Sequence, residues 1–331
     1  MLESTSHRGW FSMFLCIICM SLSLAIYVGA ETPPAPQQNL NEKQAVLWEK
    51  LATRINEIDH NLDGVVGIAI LDLTSGHTFL LHADDVFPQA SSIKIAVLAE
   101  LYHEAQKAGA SDAKLTDLYT VQSSDLVPDS DIMGGLTPGV TRITNRDLAT
   151  MMVAVSDNSA TNVLIDRVGM KNVNELMSSL GLTHTLLRRK MMDIQAANEG
   201  RENVSTPREM MTLLEQIYEG KVLNKEMTED FFKMLSTHKE SFMPRFLPNN
   251  VRINVRIANK PGELEAVRND SGVVFVPNRP YVICVMTTYL RNERDGEDAI
   301  SRISEAAYQM FDRLGRGSEY GRVVSPNDSR P

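Results

Sequence analysis

Cysteine is almost missing from this chain. Only 3 of 331 residues are cysteine, and two of them, Cys16 and Cys19, sit in an apolar run at the N-terminus. Beyond that run there is Cys284 alone, inside YVICVM. One thiol cannot close an internal disulfide, so a packed core must hold the fold. Its apolar neighbours make Cys284 a core thiol rather than a nucleophile. Clustered positive charge is missing too. The chain carries 33 Lys and Arg against 42 Asp and Glu, a formal net charge of -9, with no Lys/Arg-rich run. That excludes the footprint of a nucleic-acid binder, because phosphate binding needs grouped cations. There is no internal repeat, low-complexity tract or coiled-coil heptad, so a monomer is expected. No metal and no cofactor is expected either.

A long apolar run occurs once, at 10–28, after His7 and Arg8. It ends in Val28-Gly29-Ala30, which has the small residues of a cleavage site. Residues 1–30 are therefore expected to be a signal peptide, taking the protein to the periplasm or outside the cell. An uncleaved membrane anchor is the alternative, because the run is slightly long for a signal. Residues 31–40, ETPPAPQQNL, read as a linker. About 300 residues remain, enough for one large domain.

Helical spacing of Val46, Leu47, Leu51, Ile55 and Ile58 predicts a helix over 41–59. Two strands follow, VVGIAILDL at 65–73 and HTFLLHA at 77–83, with a turn at Thr74-Ser75-Gly76. From about 91 to 245 the pattern is mostly helical, broken by loops such as DLVPDSDIMGGLTPG. Strands return in RINVRIANK, SGVVFVPN and RPYVICVMTTYL. An amphipathic helix at 298–314 uses Ile300, Ile303, Ala307, Met310 and Leu314, and a polar tail occupies 317–331. Short links between neighbouring strands imply antiparallel pairing. The expected fold is α+β, an α/β/α sandwich. One antiparallel sheet of about five strands comes from both chain ends and carries an inserted all-helical subdomain, within a domain spanning 41–316.

Three short stretches carry chemistry-bearing residues. In FPQASSIKIAVLAELY the helix is apolar almost all round, yet its first turn holds Ser91, Ser92 and Lys94. Positions three apart share a helical face, and a lysine stripped of water has a lowered pKa and can take a serine proton. The simpler alternative is a serine cap with a solvated lysine. The second stretch is Ser156-Asp157-Asn158, between two helical runs, and it too could be no more than a cap. In the third, Lys260-Pro261-Gly262 ends a strand, where a lone lysine is commonly a solvated strand end.

Taken together, S-x-x-K, S-D-N and K-x-G occur in that order and in those settings. The chain thereby resembles the penicillin-recognising serine hydrolases, and more closely their class A β-lactamase branch, over about 40–315. The resemblance implies a β-lactam hydrolase acting through a Ser91 acyl-enzyme. Lys94 would serve as base, and Ser156 would pass a proton to the departing amide nitrogen. Asn158 would hold the substrate's side-chain amide and Lys260 would face its carboxylate. The N–H groups of Ser91 and Glu263, beside Gly262, would form the oxyanion hole. Arg268 is a candidate second contact to the carboxylate, with a salt bridge as its alternative. The implied partner is a small β-lactam or a peptidoglycan-like peptide.

The sequence departs from that family pattern twice. Pro261 stands where the family has a hydroxyl residue, so one substrate hydrogen bond is missing. In LLRRKMMDIQAANEGRENVSTP, at 186–207, Met191 stands where the family has the glutamate that hydrolyses the acyl-enzyme. Asp193 is the candidate substitute base, or else a partner for Arg188 or Arg189. Without a positioned base, water attack is slow. A D-Ala-D-Ala peptidase and a β-lactam sensor that is acylated once are therefore kept as alternatives.

Overall fold

The computed structural model describes residues 41–107, 109, 113–318 and 320–323. The expected leader and linker, and the last residues of the polar tail, lie outside the described residues. Helix α1 (Glu42–Asn61) leads into strands β1 (Val65–Asp72), β2 (Thr78–Leu81) and β3 (Phe87–Pro88). A 3-10 turn over Ala90–Ile93 runs directly into α2 (Lys94–Gln106). Then come β4 (Leu118–Thr120), β5 (Arg142–Thr144), α3 (Asn145–Ala154), α4 (Asn158–Val168) and α5 (Met170–Ser179). They are followed by α6 (Ile194–Asn198), β6 (Val204–Ser205), α7 (Pro207–Tyr218), α8 (Lys225–Leu235) and α9 (Asn249–Asn254). The chain closes with β7 (Ile257–Leu264), β8 (Val267–Val274), β9 (Tyr281–Thr288) and α10 (Glu293–Arg316).

Five strands form one sheet in the order β2-β1-β9-β8-β7, antiparallel throughout. First and last strands meet where β1 pairs with β9 from Val65 opposite Thr288 to Asp72 opposite Tyr281. The sheet is covered on both faces, so its strands are near-continuous apolar runs. Their side chains still alternate between two cores. Ala69, Leu71, Val273, Val282, Cys284 and Met286 face the helical block. Val66, Ile68, Ile70, Val274, Ile283 and Val285 face α1 and α10, where Tyr281 stacks on Phe311 at 4.0 Å between ring centroids. The α+β sandwich expected from the sequence is the fold observed.

Helix α2 is the axis of the helical block, buried from Lys94 to Tyr102 and packed against α4, α5 and α8. Each fully buried aliphatic side chain on it stabilises by about 1.5–3 kcal/mol relative to exposure. That packing fixes the turn at the helix start, where Ser91 lies.

The sequence reading needs three corrections. Residues 252–254 are not strand: α9 covers Asn249–Asn254, with Val251 buried and Ile253 80% exposed. Strand β7 does not stop at the Lys260-Pro261-Gly262 motif but runs on to Leu264, turning at Glu265 and Ala266 (φ 57°) into β8. Proline is tolerated there because β7 is the sheet's edge, where alternate N–H groups face away from the ladder. Finally, two small ribbons form outside the main sheet, β3 with β6 and β4 with β5.

Candidate active site

The two serines at the start of α2 differ. Ser92 is fully buried, and its hydroxyl donates to the Gln89 carbonyl at 2.5 Å, so it is a structural group. Ser91 is only partly buried and lines a cavity of about 320 Å³. Ala90, just before it, is held at φ 48°. A non-glycine residue there costs on the order of 1–3 kcal/mol, a strain that persists only where the surroundings impose it. One such constraint is β7. A Cβ on Gly262 would lie 2.6 Å from the Gln89 carbonyl oxygen, 2.8 Å from Ser92 N and 3.1 Å from Ser91 N. Only glycine lets the edge strand come this close to the Ser91 backbone.

Pro261 can occupy β7 only where the ladder asks for no N–H, on the open edge. Glu263, two residues further, presents its N–H to that same edge. The open edge is also where the Pro261 carbonyl accepts from Lys260 Nζ at 3.0 Å. The missing Pro261 donor is thus lost from the open side, not from the sheet.

Lys94 is 1% exposed. Its Nζ donates to the Ser156 carbonyl at 2.6 Å, to Ser156 Oγ at 3.0 Å and to Asn158 Oδ1 at 2.9 Å. Among the described residues none of its side-chain hydrogen bonds reaches Ser91. The expected Ser91–Lys94 side-chain contact is therefore not a hydrogen bond in this structure, where Lys94 is bonded to Ser156 and Asn158 instead. Lys260 Nζ reaches the same hydroxyl, Ser156 Oγ, at 3.1 Å. Ser156 itself is strained, at φ 58°. Asp157 caps α4 by accepting from Ala160 N, and accepts from the Ile132 and Met133 N–H groups as well. The cap is thus real, and it frees Ser156 to face the lysines.

Burial pushes Lys94 well below the ordinary lysine range. The positive charge of Lys260 adds to this, and Asp157 and Asp129 partly offset it. Burial, with Lys239 assisting, lowers Lys260 to about 7. Two desolvated lysine amino groups beside one strained serine hydroxyl are suited to proton transfer.

Ser91, Ser156, Lys260, Pro261 and Glu263 all line the cavity. Sequence reasoning missed three further charged lining groups, Asp131, Lys239 and Glu240. All three lie in irregular segments with no motif to mark them. Arg268 does not line it. Its guanidinium donates to Glu297 at 3.2 Å and to the Leu264 and Val267 carbonyls, so its salt-bridge alternative is the arrangement observed. Asp193 is not brought to the cavity either. Its exposed carboxylate caps α6, accepting from Ala196 N at 2.9 Å. The partner of Arg189 is instead Glu202, at 2.8 Å. Met191 is 7% exposed, and its backbone is clamped at both N and O by the Asn162 side chain. Cys284, buried opposite Ser271, has its thiol pushed up to about 12 by burial, which keeps it unreactive.

The sheet and the helical block thus bring Ser91, Ser156 and Lys260 to one cavity, with Lys94 bonded to Ser156. Residues 50–311 match the model of the beta-lactamase enzyme family, and the chain belongs to that family. It is a serine hydrolase of the class A β-lactamase kind. Beta-lactamase SME-1 of Serratia marcescens is 25% identical over 311 residues, 90% of this chain and 96% of that protein. Among solved structures, a β-lactamase from Sphaerobacter thermophilus DSM 20745 is 30% identical, with a TM-score of 0.70 over 79% of this chain and 97% of that one. The structure of PBP-A is 25% identical, with a TM-score of 0.69 over 80% and 97%.

Proposed function

We propose that this protein opens β-lactams through a Ser91 acyl-enzyme that forms quickly and is released slowly. One observation carries the reading: Ser156 Oγ accepts from both Lys94 and Lys260 at 3.0 and 3.1 Å, in the cavity that Ser91 lines. Ser91 Oγ attacks the lactam carbonyl carbon, and its proton passes to Lys94 in its uncharged form, which burial favours. The oxyanion is held by the Ser91 and Glu263 N–H groups. As the carbonyl–nitrogen bond breaks, the Ser156 hydroxyl gives its proton to the nitrogen and is reprotonated from the lysine it contacts. The ring is open and the acyl group remains on Ser91. Asn158 orients Lys94 through Oδ1, and its amide nitrogen is the candidate donor to the substrate's side chain.

Hydrolysis of that ester needs a water and a base. The Met191 thioether cannot accept a proton from water, and the Asp193 carboxylate is engaged as a cap. Slow release follows. A D-Ala-D-Ala peptidase or a once-acylated sensor would share the first half-reaction, and the Met191 departure favours them equally. Nitrocefin hydrolysis tests β-lactam opening and slow release. The expected trace is a burst near one equivalent followed by a slow steady phase. A linear fast trace without burst removes the slow-release reading, and no colour change removes β-lactam opening altogether.

Export to the periplasm or beyond the cell is part of the same proposal. It is supported by the apolar run at 10–28 and by a β-lactam or peptidoglycan-like substrate. Among the described residues no helix is long and apolar enough to cross a membrane. A monomer remains the proposed assembly, on the absence of heptads in the sequence.

A further inference from the structure

The cavity has one lining cation that the three motifs do not account for, beside the carboxylates of Asp131, Glu240 and Glu263. Lys239, after α8, lines it alongside Ser91, Ser156 and Lys260. Lys239 also borders an adjoining groove of about 1090 Å³, which shares Glu240 and Glu263 with the cavity. Its Nζ donates to the Leu235 carbonyl at 2.7 Å, and among the described residues it makes no other hydrogen bond and no ion pair. Two of its three protons are therefore unassigned. Among the described residues no carboxylate is hydrogen-bonded to Lys94 or Lys260 either, whose bonds go to hydroxyl, amide and carbonyl oxygens. Asp270 acts on Lys239 and Lys260, and Asp157 and Asp129 on Lys94, only through space. Desolvated cations that neighbouring carboxylates offset only in part are costly, and a bound anion relieves that cost.

The position of Lys239 is not left to a floppy loop. The segment just after it is fixed to the sheet, since buried Asp270 on β8 accepts from Phe242 N at 3.1 Å and Met243 N at 3.0 Å. The Ser301 hydroxyl on α10 donates to the Phe242 carbonyl at 3.0 Å. Meanwhile Arg268 is committed to Glu297, and Pro261 offers neither hydroxyl nor N–H. The place for a second group on an anionic substrate is therefore open.

We propose that Lys239 is a specificity-determining residue that, with Lys260, binds the carboxylate of the substrate. The proposal rests on the acyl-enzyme reading above. In a penicillin the carboxylate is carried by the carbon bonded to the lactam nitrogen. That nitrogen takes its proton from Ser156, so the carboxylate falls beside Lys260, which is bonded to Ser156 Oγ. Lys239 is the remaining cation lining that cavity. It selects for substrates anionic at this carbon.

The test compares second-order acylation rates of the full-length protein with a penicillin and with its methyl ester, read by intact-protein mass spectrometry. Lys239→Ala and Lys239→Gln are expected to slow the penicillin by about ten- to a hundredfold, as loss of one charge-assisted contact implies. The ester should lose several-fold less, so that the penicillin-to-ester ratio collapses. Lys239→Arg is expected to restore that ratio. Lys239→Gln keeps a donor for Leu235, so it reports on charge even where the alanine variant folds poorly. Equal losses on both substrates, or no rescue by arginine, overturn the role of Lys239. A wild-type protein acylated by neither compound overturns the acyl-enzyme reading itself, and this inference with it.

Discussion

Lys260, on the edge strand of the sheet, donates from Nζ to Ser156 Oγ, in the helical block, at 3.1 Å. Positions 104 residues apart in sequence thus share one hydroxyl, and Lys94 completes the grouping from α2. Each of these groups can be tested separately.

Ser91, not Ser92, is the expected acylation site. Peptide mapping after a fluorescent penicillin should place the label on Ser91, and Ser91→Ala should abolish labelling. Ser92→Ala should retain it while losing about 1 kcal/mol of stability, since a buried hydroxyl bond to Gln89 is removed. A label on Ser92 would reverse the assignment.

Lys94→Ala is expected to reduce the acylation rate by about 10²–10⁴, the range for loss of a positioned general base. Far-ultraviolet circular dichroism should remain native. Ordinary acylation in this variant would make Lys94 a structural residue.

The pH profile should carry the signature of Lys260. Its folded pKa is lowered to about 7, so it is a cation below that pH and neutral above it. For a carboxylate substrate, kcat/KM is therefore expected to fall as pH rises through about 7. In Lys260→Arg, where the charge persists, the alkaline limb should move upward. A limb that stays in place belongs to another group.

The loop before α6 should govern release rather than formation of the acyl-enzyme. Mass spectrometry at steady state is expected to show the acylated protein accumulating. Asp193→Asn should leave that lifetime unchanged, while Asp193→Ala loses about 0.5–2 kcal/mol as a helix cap is removed. Met191→Glu supplies a carboxylate where the family has one and should shorten the lifetime. A longer lifetime in Asp193→Asn would return Asp193 to the chemistry.

Much of this was legible in the sequence. Apolar periodicity located α1, α2, β1, β9 and α10, because burial imposes a period on any chain that forms such elements. The three motifs named Ser91, Lys94, Ser156 and Lys260, because a buried lysine beside a serine is chemically conspicuous even in one dimension. The path of β7 through Pro261 was not legible. A proline signals a strand end until the sheet order shows that its missing N–H faces outward at an edge. Nor was the pairing of Arg268 with Glu297, the capping role of Asp193, or the arrival of Lys239 at the cavity. A carboxylate or an ammonium looks the same in sequence whether it caps a helix, pairs or faces a substrate. Which it does depends on distances of a few ångströms between segments far apart along the chain, and only the packing of the sheet against the helical block sets those.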